Sequence, residues 1–258
     1  MHNYVLDDKY LYYSSSITRG TQPKYKKGDY FYKRNKLGNE GFTEYLVSRL
    51  LKHSSLPHYA FVDYEYCKIN GVLGCRSKNF LSTENEELIT INAIYQRLTG
   101  DTDLSNTLST LNNLSDRLNY VCDLVEKVGM YRPIFREYLN LLCQLDMLIG
   151  NTDRHWHNVC LIYNKVLNRW RVAPIFDNGL ALDTDRSGNK ASCTLCGSFE
   201  TQVALFSYPV KPTFTLDYNE IYKDLSRITR YYGSHYEISM LKVQLEKYKS
   251  LFRKEELK

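Results

Sequence analysis

The chain changes its hydrophobic rhythm near residue 82. Before that point, apolar positions come in short alternating or clustered runs bounded by polar turns, the signature of strands. Residues 10–13 and 29–33 read as two strands around a small, polar loop at 14–24. Gly41 opens a single helix, in which Tyr45, Leu46, Arg49, Leu50 and Leu51 recur at helical spacing. A second hairpin is expected over 59–81, with strands at 59–66 and 72–76 and a turn at Asn70-Gly71, two residues that tolerate the positive φ a tight hairpin needs. Beyond the polar stretch 79–84 the pattern becomes helical, over 86–99, parts of 104–127, 131–149, 217–231 and 236–251. Pro133 suits a first helical turn. One more strand pair, 159–163 and 170–175, interrupts the helices, and 180–214 is polar and irregular. The pattern predicts an α+β chain of two lobes: a strand-rich lobe over 1–81 and a mainly helical lobe over 82–258.

Composition adds limits rather than identity. Hydrophobic residues make up 43% and charged residues 24% of the 258, which is ordinary for a globular protein. No apolar run approaches the roughly 20 residues that span a bilayer, and the first residues lack a basic stretch followed by an apolar one. The expectation is a cytoplasmic protein without a membrane segment. The seven cysteines, Cys67, Cys75, Cys122, Cys143, Cys160, Cys193 and Cys196, form no disulfide framework, which fits a reducing compartment. Cys193 and Cys196 are the one close pair, and without a second such pair they read as free thiols. The net charge is +5, much of it in Lys24, Lys26, Lys27, Lys33, Arg34 and Lys36 among Tyr25, Tyr30, Phe31 and Tyr32. Basic residues interleaved with aromatics can bind nucleic acid. A solvated strand face and a site for nucleotide phosphates account for the same residues, and no direct nucleic-acid partner is expected.

The chemistry concentrates in two segments. Ile149 to Asn158 follows the apolar helical run 138–148 and precedes the strand at 159–163, so Asp153 and Asn158 stand five residues apart on a loop. The hairpin then returns through 170–175 and delivers Phe176-Asp177-Asn178-Gly179 beside that loop. An Asp, an Asn and a second Asp converging on one point are what phosphoryl transfer needs: an acid group to orient the attacking hydroxyl, and oxygen ligands for magnesium. The spacing from Asp153 to Asn158 is that of a protein-kinase catalytic loop, and Asp177 stands where a kinase has its metal-binding Asp. In a kinase-like small lobe, a strand Lys must be held by a helix carboxylate; Lys33 with Glu44 fits, with Glu40 as the substitute. Plainer readings exist. Asp and Asn after a helix commonly cap backbone groups, Asp177-Asn178-Gly179 is also a turn sequence, Lys33 and Glu44 could be surface charges, and Asp153, His155 and His157 alternate as zinc ligands on a strand would.

In the order in which they occur, these segments resemble the HipA-like serine/threonine kinases, the toxin half of bacterial toxin-antitoxin pairs and their stand-alone relatives. The residues that carry the resemblance are Gly20-Thr21-Gln22-Pro23-Lys24, the strand with Lys33, Glu44-Tyr45-Leu46, Ile149 to His155 with Asn158, and Ala173 to Gly179. The resemblance implies a two-lobed kinase with ATP between the lobes. It implies Asp153 as the base or hydroxyl-orienting group, Asn158 and Asp177 as magnesium ligands, and Lys33 as the phosphate contact. Around the nucleotide it implies Gly20, Thr21, Gln22, Glu44, Ser77, Asn79 and Phe80. Some members of the family phosphorylate themselves on a Ser in the phosphate loop, which points to Ser16 or Thr18 here. The implied partners are a protein with a Ser or Thr acceptor, with translation components as the candidate target, and an antitoxin protein. This sequence starts almost at the phosphate loop, so an amino-terminal subdomain found in longer members is expected to be missing. A small-molecule phosphotransferase and a nucleotide- or partner-binding module without turnover remain the competing readings.

Overall fold

The computed structural model describes residues 1–12, 23–36, 38–182 and 198–254. Its first half is a five-stranded sheet in the order β1-β4-β5-β3-β2, built from β1 (Asn3–Tyr4), β2 (Lys24–Lys27), β3 (Tyr30–Arg34), β4 (Tyr64–Ile69) and β5 (Val72–Lys78). Two tight turns explain its antiparallel centre. Gly28 takes φ 55° between β2 and β3, and Asn70 and Gly71 take φ 51° and 80° between β4 and β5, the positive-φ pair that a two-residue hairpin requires. Helix α1 (Glu40–Lys52) lies against this sheet and buries Phe42, Leu46, Val47, Leu50 and Leu51.

The second half is mainly helical: α2 (Ile91–Thr99), α3 (Leu104–Ser109), α4 (Leu114–Lys127), α5 (Arg132–Ile149), α6 (Phe199–Ala204), α7 (Tyr218–Tyr232), α8 (Tyr236–Lys247) and α9 (Lys249–Phe252). A three-stranded sheet, β6 (Glu86–Thr90), β7 (Cys160–Asn164) and β8 (Arg169–Val172), is set among them. None of the described helices is long and apolar enough to cross a membrane. The main core runs without a break from α1 into α5, α7 and α8, so α1 packs on both halves. The described cysteines, Cys67, Cys75, Cys122, Cys143 and Cys160, are buried and in no disulfide; Cys193 and Cys196 lie outside the described residues.

Several elements depart from the expectations. Residues 86–90 form a strand, and the helix begins only at Ile91, capped by Thr90, whose hydroxyl accepts the Ala93 amide at 3.0 Å. The acidic start of that segment favours a helix locally, but pairing with β7 and the β-branched Ile89 and Thr90 decide otherwise. Residues 58–60 form a short 3-10 turn. The backbone beyond it bonds to Ile175 rather than to β5, with the Val62 amide donating to the Ile175 carbonyl at 2.9 Å and the Ile175 amide to that of Ala60 at 2.8 Å. At the amino end, Leu11 makes one bridge to Tyr25 after a 3-10 turn at Asp8–Tyr10, in place of the strand expected over 10–13. Within the segment read as irregular, α6 forms, started by Ser198, whose hydroxyl accepts the Thr201 amide at 3.2 Å.

Two glycines set close backbone approaches here, Gly41 between α1 and β5 and Gly74 between β5 and β3. A Cβ on Gly41 would meet the Gly74 carbonyl carbon at 2.5 Å, and a Cβ on Gly74 would meet the Lys33 carbonyl oxygen at 2.2 Å. Both obstacles are backbone, so neither can swing aside. Gly74→Ala is expected to destabilise the protein by about 1–3 kcal/mol, the range for overpacking a filled site. Urea denaturation of parent and variant measures it. A variant as stable as the parent would show that β3 yields and that the close approach is not a constraint.

Candidate active site

Helix α5 ends at Gly150, which adopts the left-handed conformation (φ 60°, ψ 40°) favoured by glycine after a helix. The chain then turns back on the helix: the Asn151 amide donates to the Asp146 carbonyl at 2.9 Å, and the Asn151 side chain donates to Asp146 Oδ1 at 2.9 Å. Asn151 Oδ1 accepts the Asp153 amide at 3.1 Å. Asn158 closes the loop from its far end, donating from Nδ2 to the Asp153 carbonyl at 2.8 Å and accepting the His155 amide on Oδ1 at 2.9 Å. Residues 151–158 are therefore a pinned loop ending in a turn, not the strand on which Asp153, His155 and His157 would alternate. Among the described residues no group of three His, Cys, Asp or Glu is placed to hold a metal ion.

Arg154 joins this loop to the second one. It is 4% exposed, and its Nε and Nη2 donate to the Asp146 carboxylate at 3.0–3.2 Å. The remaining donors reach across to the Phe176 carbonyl at 2.9 Å and to Asn178 Oδ1 at 2.7 Å. Burial alone would lower the Arg154 pKa, but the Asp146 carboxylate outweighs it and keeps the guanidinium charged. On the second loop, Asp177 holds φ 62°, a left-handed conformation uncommon outside glycine. The Asn178 amide donates to Glu44 Oε2 at 2.9 Å. The other oxygen of Glu44 accepts Lys33 Nζ at 3.0 Å, and the same ammonium reaches Asp177 Oδ1 at 2.7 Å. One lysine on β3 is thus gripped by a helix carboxylate and a loop carboxylate. Glu40, the substitute partner, instead accepts the amides of Lys36 and Gly38 at 3.2 and 2.9 Å.

These contacts set the charges. Burial would raise the Asp177 carboxyl, but Lys33 and then Lys24 outweigh it and hold it below the usual carboxylate range. Burial would likewise lower Lys33, and Asp177, with help from Tyr64 and Glu44, holds it well above its ordinary value. Asp153 moves the other way: burial raises it, the nearby Asp177 adds to the rise, and His155 and Arg154 oppose it. Lys33 and Asp177 border a cavity of about 300 Å³ between the two halves, lined also by Lys24, Glu86 and Glu87 and by the apolar Phe31, Phe80, Leu88 and Phe176. Phe80 and Phe176 have ring centroids 5.7 Å apart.

Of the residues singled out in the sequence, Lys33, Ser77, Asn79, Phe80 and Asp177 line this cavity. Glu44 stands behind Lys33; Asp153, which feels the charge of Asp177, and Asn158, bonded to the Asp153 carbonyl, do not line the cavity. Gly20, Thr21, Gln22, Ser16 and Thr18 lie outside the described residues. Sequence reasoning passed over Asp146, Asn151 and Asn178 as fasteners and gave Arg154 no role of its own, while Lys24 entered only with the phosphate loop and the basic run. A signal for Asp146 was present: it is the one acid in the otherwise apolar last stretch of a helix, Leu145 to Ile149, where a buried charge implies a partner.

No protein-family model matches the chain, and no curated protein does. Solved structures do. The Helicobacter pylori proinflammatory kinase CtkA superposes with a TM-score of 0.61 at 16% identity, over 96% of this chain and 95% of that one. HipA of Shewanella oneidensis MR-1, solved with HipB and operator DNA, superposes with a TM-score of 0.54 at 13% identity, over 93% of this chain and 67% of that one. The chain has the two-lobed HipA-like kinase fold.

The buried pair of Asp146 and Arg154 can be tested by stability. Arg154→Met leaves a buried carboxylate uncompensated and is expected to cost about 3–5 kcal/mol in urea denaturation. Asp146→Leu with Arg154→Met removes both charges and is expected to be more stable than Arg154→Met alone. A loss below about 1 kcal/mol, the scale of an exposed pair, would show that the guanidinium is not what fastens the two loops.

Proposed function

We propose that the chain is a protein serine/threonine kinase that uses ATP and magnesium. The observation that carries this reading is Lys33 held between Glu44 and Asp177, 3.0 and 2.7 Å away, in a cavity that also has aromatic walls. A cavity with aromatic side chains for a base and lysines for phosphates suits a nucleotide. The donor set fits magnesium, a hard ion that takes carboxylate and amide oxygens. Asn158 Oδ1 and the Asp177 carboxylate are such oxygens, and the ion pair with Lys33 uses only one oxygen of Asp177. Magnesium, when bound, would neutralise phosphate charge that builds up during transfer.

The protein's own residues divide the remaining work. Lys33 fixes the phosphates, and Glu44 fixes Lys33. Asp153 accepts a hydrogen bond from the acceptor Ser or Thr hydroxyl and takes its proton as the hydroxyl oxygen bonds to the γ-phosphorus and ADP departs. Asn158 holds the Asp153 carbonyl, so the base and one of the two metal ligands share a pinned loop. Autophosphorylation at Ser16 or Thr18 belongs to the same reading: a phosphate adds about −1.5 to −2 charges at neutral pH in the loop assigned to the ATP phosphates. So do a cytoplasmic place of action, a toxin role against a translation component and an antitoxin partner, since the S. oneidensis HipA was solved with HipB.

Incubation with magnesium and labelled ATP, alone and with cell lysate, tests the proposal. Label on protein Ser or Thr supports it; label on small molecules alone would favour a small-molecule phosphotransferase; nucleotide binding without transfer would leave a binding module. Asp153→Ala is expected to lower turnover by about 10²–10⁴-fold, the usual contribution of a general base, while ATP still binds. The pH profile follows from the direction of the shift. A carboxyl whose pKa is raised is protonated, and useless as a base, at higher pH than an ordinary aspartate. The acid limb of kcat/KM should therefore fall above about pH 3.9, the unperturbed value. His155→Gln removes a group that lowers the Asp153 pKa and should move that limb further up. A limb that His155→Gln leaves in place would assign it to another group.

A further inference from the structure

Strand β8 is the outer strand of the three-stranded sheet, paired with β7 on one side only. The Ala173 amide donates to the Cys160 carbonyl at 3.2 Å, which fixes the phase of the ladder. The alternate residues Arg171 and Arg169 then exchange their bonds with β7, and the N–H and C=O groups of Trp170 and Val172 point the other way. Among the described residues no other segment pairs with them. They border a groove of about 290 Å³ between β8 and the turn that joins α4 to α5. All four residues of β8 line it, those of both faces, so the groove follows the free edge of the strand. Across from the edge stand Tyr131 and Ile134. They lie on the Trp170 side, because a Cβ on the neighbouring Gly129 would be 3.9 Å from Cδ1 of the indole.

Charged side chains commonly guard an open edge against pairing with another chain, but the surroundings here favour pairing. Tyr131 and Ile134 are 65% and 49% exposed, apolar surface set directly beside unpaired backbone. The only charged residues that line the groove are Arg169 and Arg171. Arg171 is committed to Glu86 at 3.0 Å, whereas Arg169 is exposed and has no ion pair among the described residues. A chain laid along β8 would send alternate side chains to the two faces. Those opposite the arginines favour carboxylates, and those opposite Trp170 and Val172 meet Tyr131 and Ile134 and favour apolar groups. We propose that β8 is a docking edge, to which a partner protein adds an extended segment of alternating acidic and apolar residues as a further strand. The inference stands apart from the kinase reading, since no residue of the cavity between the lobes lines this groove.

Calorimetric titration of the full chain with a synthetic hexapeptide of alternating glutamate and valine tests it. N-methylation of one alternate set of peptide amides, the set that faces β8, should abolish binding, and methylation of the other set should leave it; only strand addition separates the two. Arg169→Glu is expected to weaken the peptide by about three- to tenfold, the effect of turning an attractive surface pair into a repulsive one. Ile134→Asn should weaken it by about tenfold through lost apolar contact. Both side chains are exposed, so both variants should match the parent in urea denaturation. No binding up to about 1 mM peptide would overturn the proposal, as would binding lost with both methylated peptides or with neither. An affinity that Arg169→Glu and Ile134→Asn both leave unchanged would place the peptide elsewhere and overturn it too. A parent that sediments as a dimer, and that these two substitutions return to a monomer, would put a second copy of this chain on the edge and overturn the partner named here.

Discussion

The Arg154 guanidinium is the joint on which the site depends. A buried charge is tolerated only when its donors are used, and here they span three separate pieces of backbone. Asp146 belongs to the last turn of α5, Arg154 to the first loop, and Phe176 and Asn178 to the second. The connection then continues without a gap: the Asn178 amide binds Glu44 on α1, and Glu44 binds Lys33 on β3. A shift of either loop would break a bond to a buried partner, so each candidate residue is placed by groups that do not themselves face the cavity. That is how a site assembled from four segments far apart in sequence keeps a geometry of tenths of an ångström.

The position of α1 is the second constraint, and it is fixed from several sides. Gly41 brings the helix against the Gly74 backbone of β5 more closely than a side chain on Gly41 allows. Its opposite face is tied to the helical half: Arg49 forks onto Asp224 with both bonds at 2.8 Å. Phe42 stacks on His235 at 4.1 Å and meets Tyr66 at 5.1 Å. Moving α1 away from Lys33 would open a glycine contact, a bidentate ion pair and an aromatic cluster together. The Lys33–Glu44 pair is thus a consequence of packing on both sides of the helix, more than of the attraction between two charges.

What the sequence showed follows the range of the interactions involved. The Asn70-Gly71 hairpin, α5 with its Pro start, and the loops bearing Asp153, Asn158 and Asp177 were legible because local chemistry dictates them; strand β2 and its turn at Gly28 were not read. The pairing of Lys33 with Glu44 was foreseen from the need of a kinase-like small lobe for a helix carboxylate to hold a strand lysine, with Glu40 as the substitute. Strand β6 was not, because Glu86 and Glu87 prefer a helix until β7, some seventy residues later, offers its edge. The bridge from Phe61 to Ile175 and the service of Asp146 to Arg154 were hidden for the same reason: each joins residues whose own neighbourhoods say nothing of the partner. Lys24 was read with the phosphate loop and the basic run, but its place across from Lys33 is set by the strand register.

The environments of the two aspartates divide their labour on the proposed reading. Near-identical side chains acquire different chemistry when their surroundings push the pKa values apart. Asp177 is held ionised by Lys33 and Lys24, so it presents a charged oxygen to a metal at any pH near neutrality, with no proton to displace. Asp153, lifted by burial and by the charge of Asp177 itself, has a greater hold on a proton, which is what a group that must accept one from a hydroxyl requires. The same lysine that anchors Asp177 therefore also bears on Asp153. By keeping one carboxylate charged beside the other, Lys33 sustains the repulsion that makes the second a better base. Magnesium at Asp177 would weaken that repulsion as it drew charge away, so the basicity of Asp153 depends on what occupies the cavity.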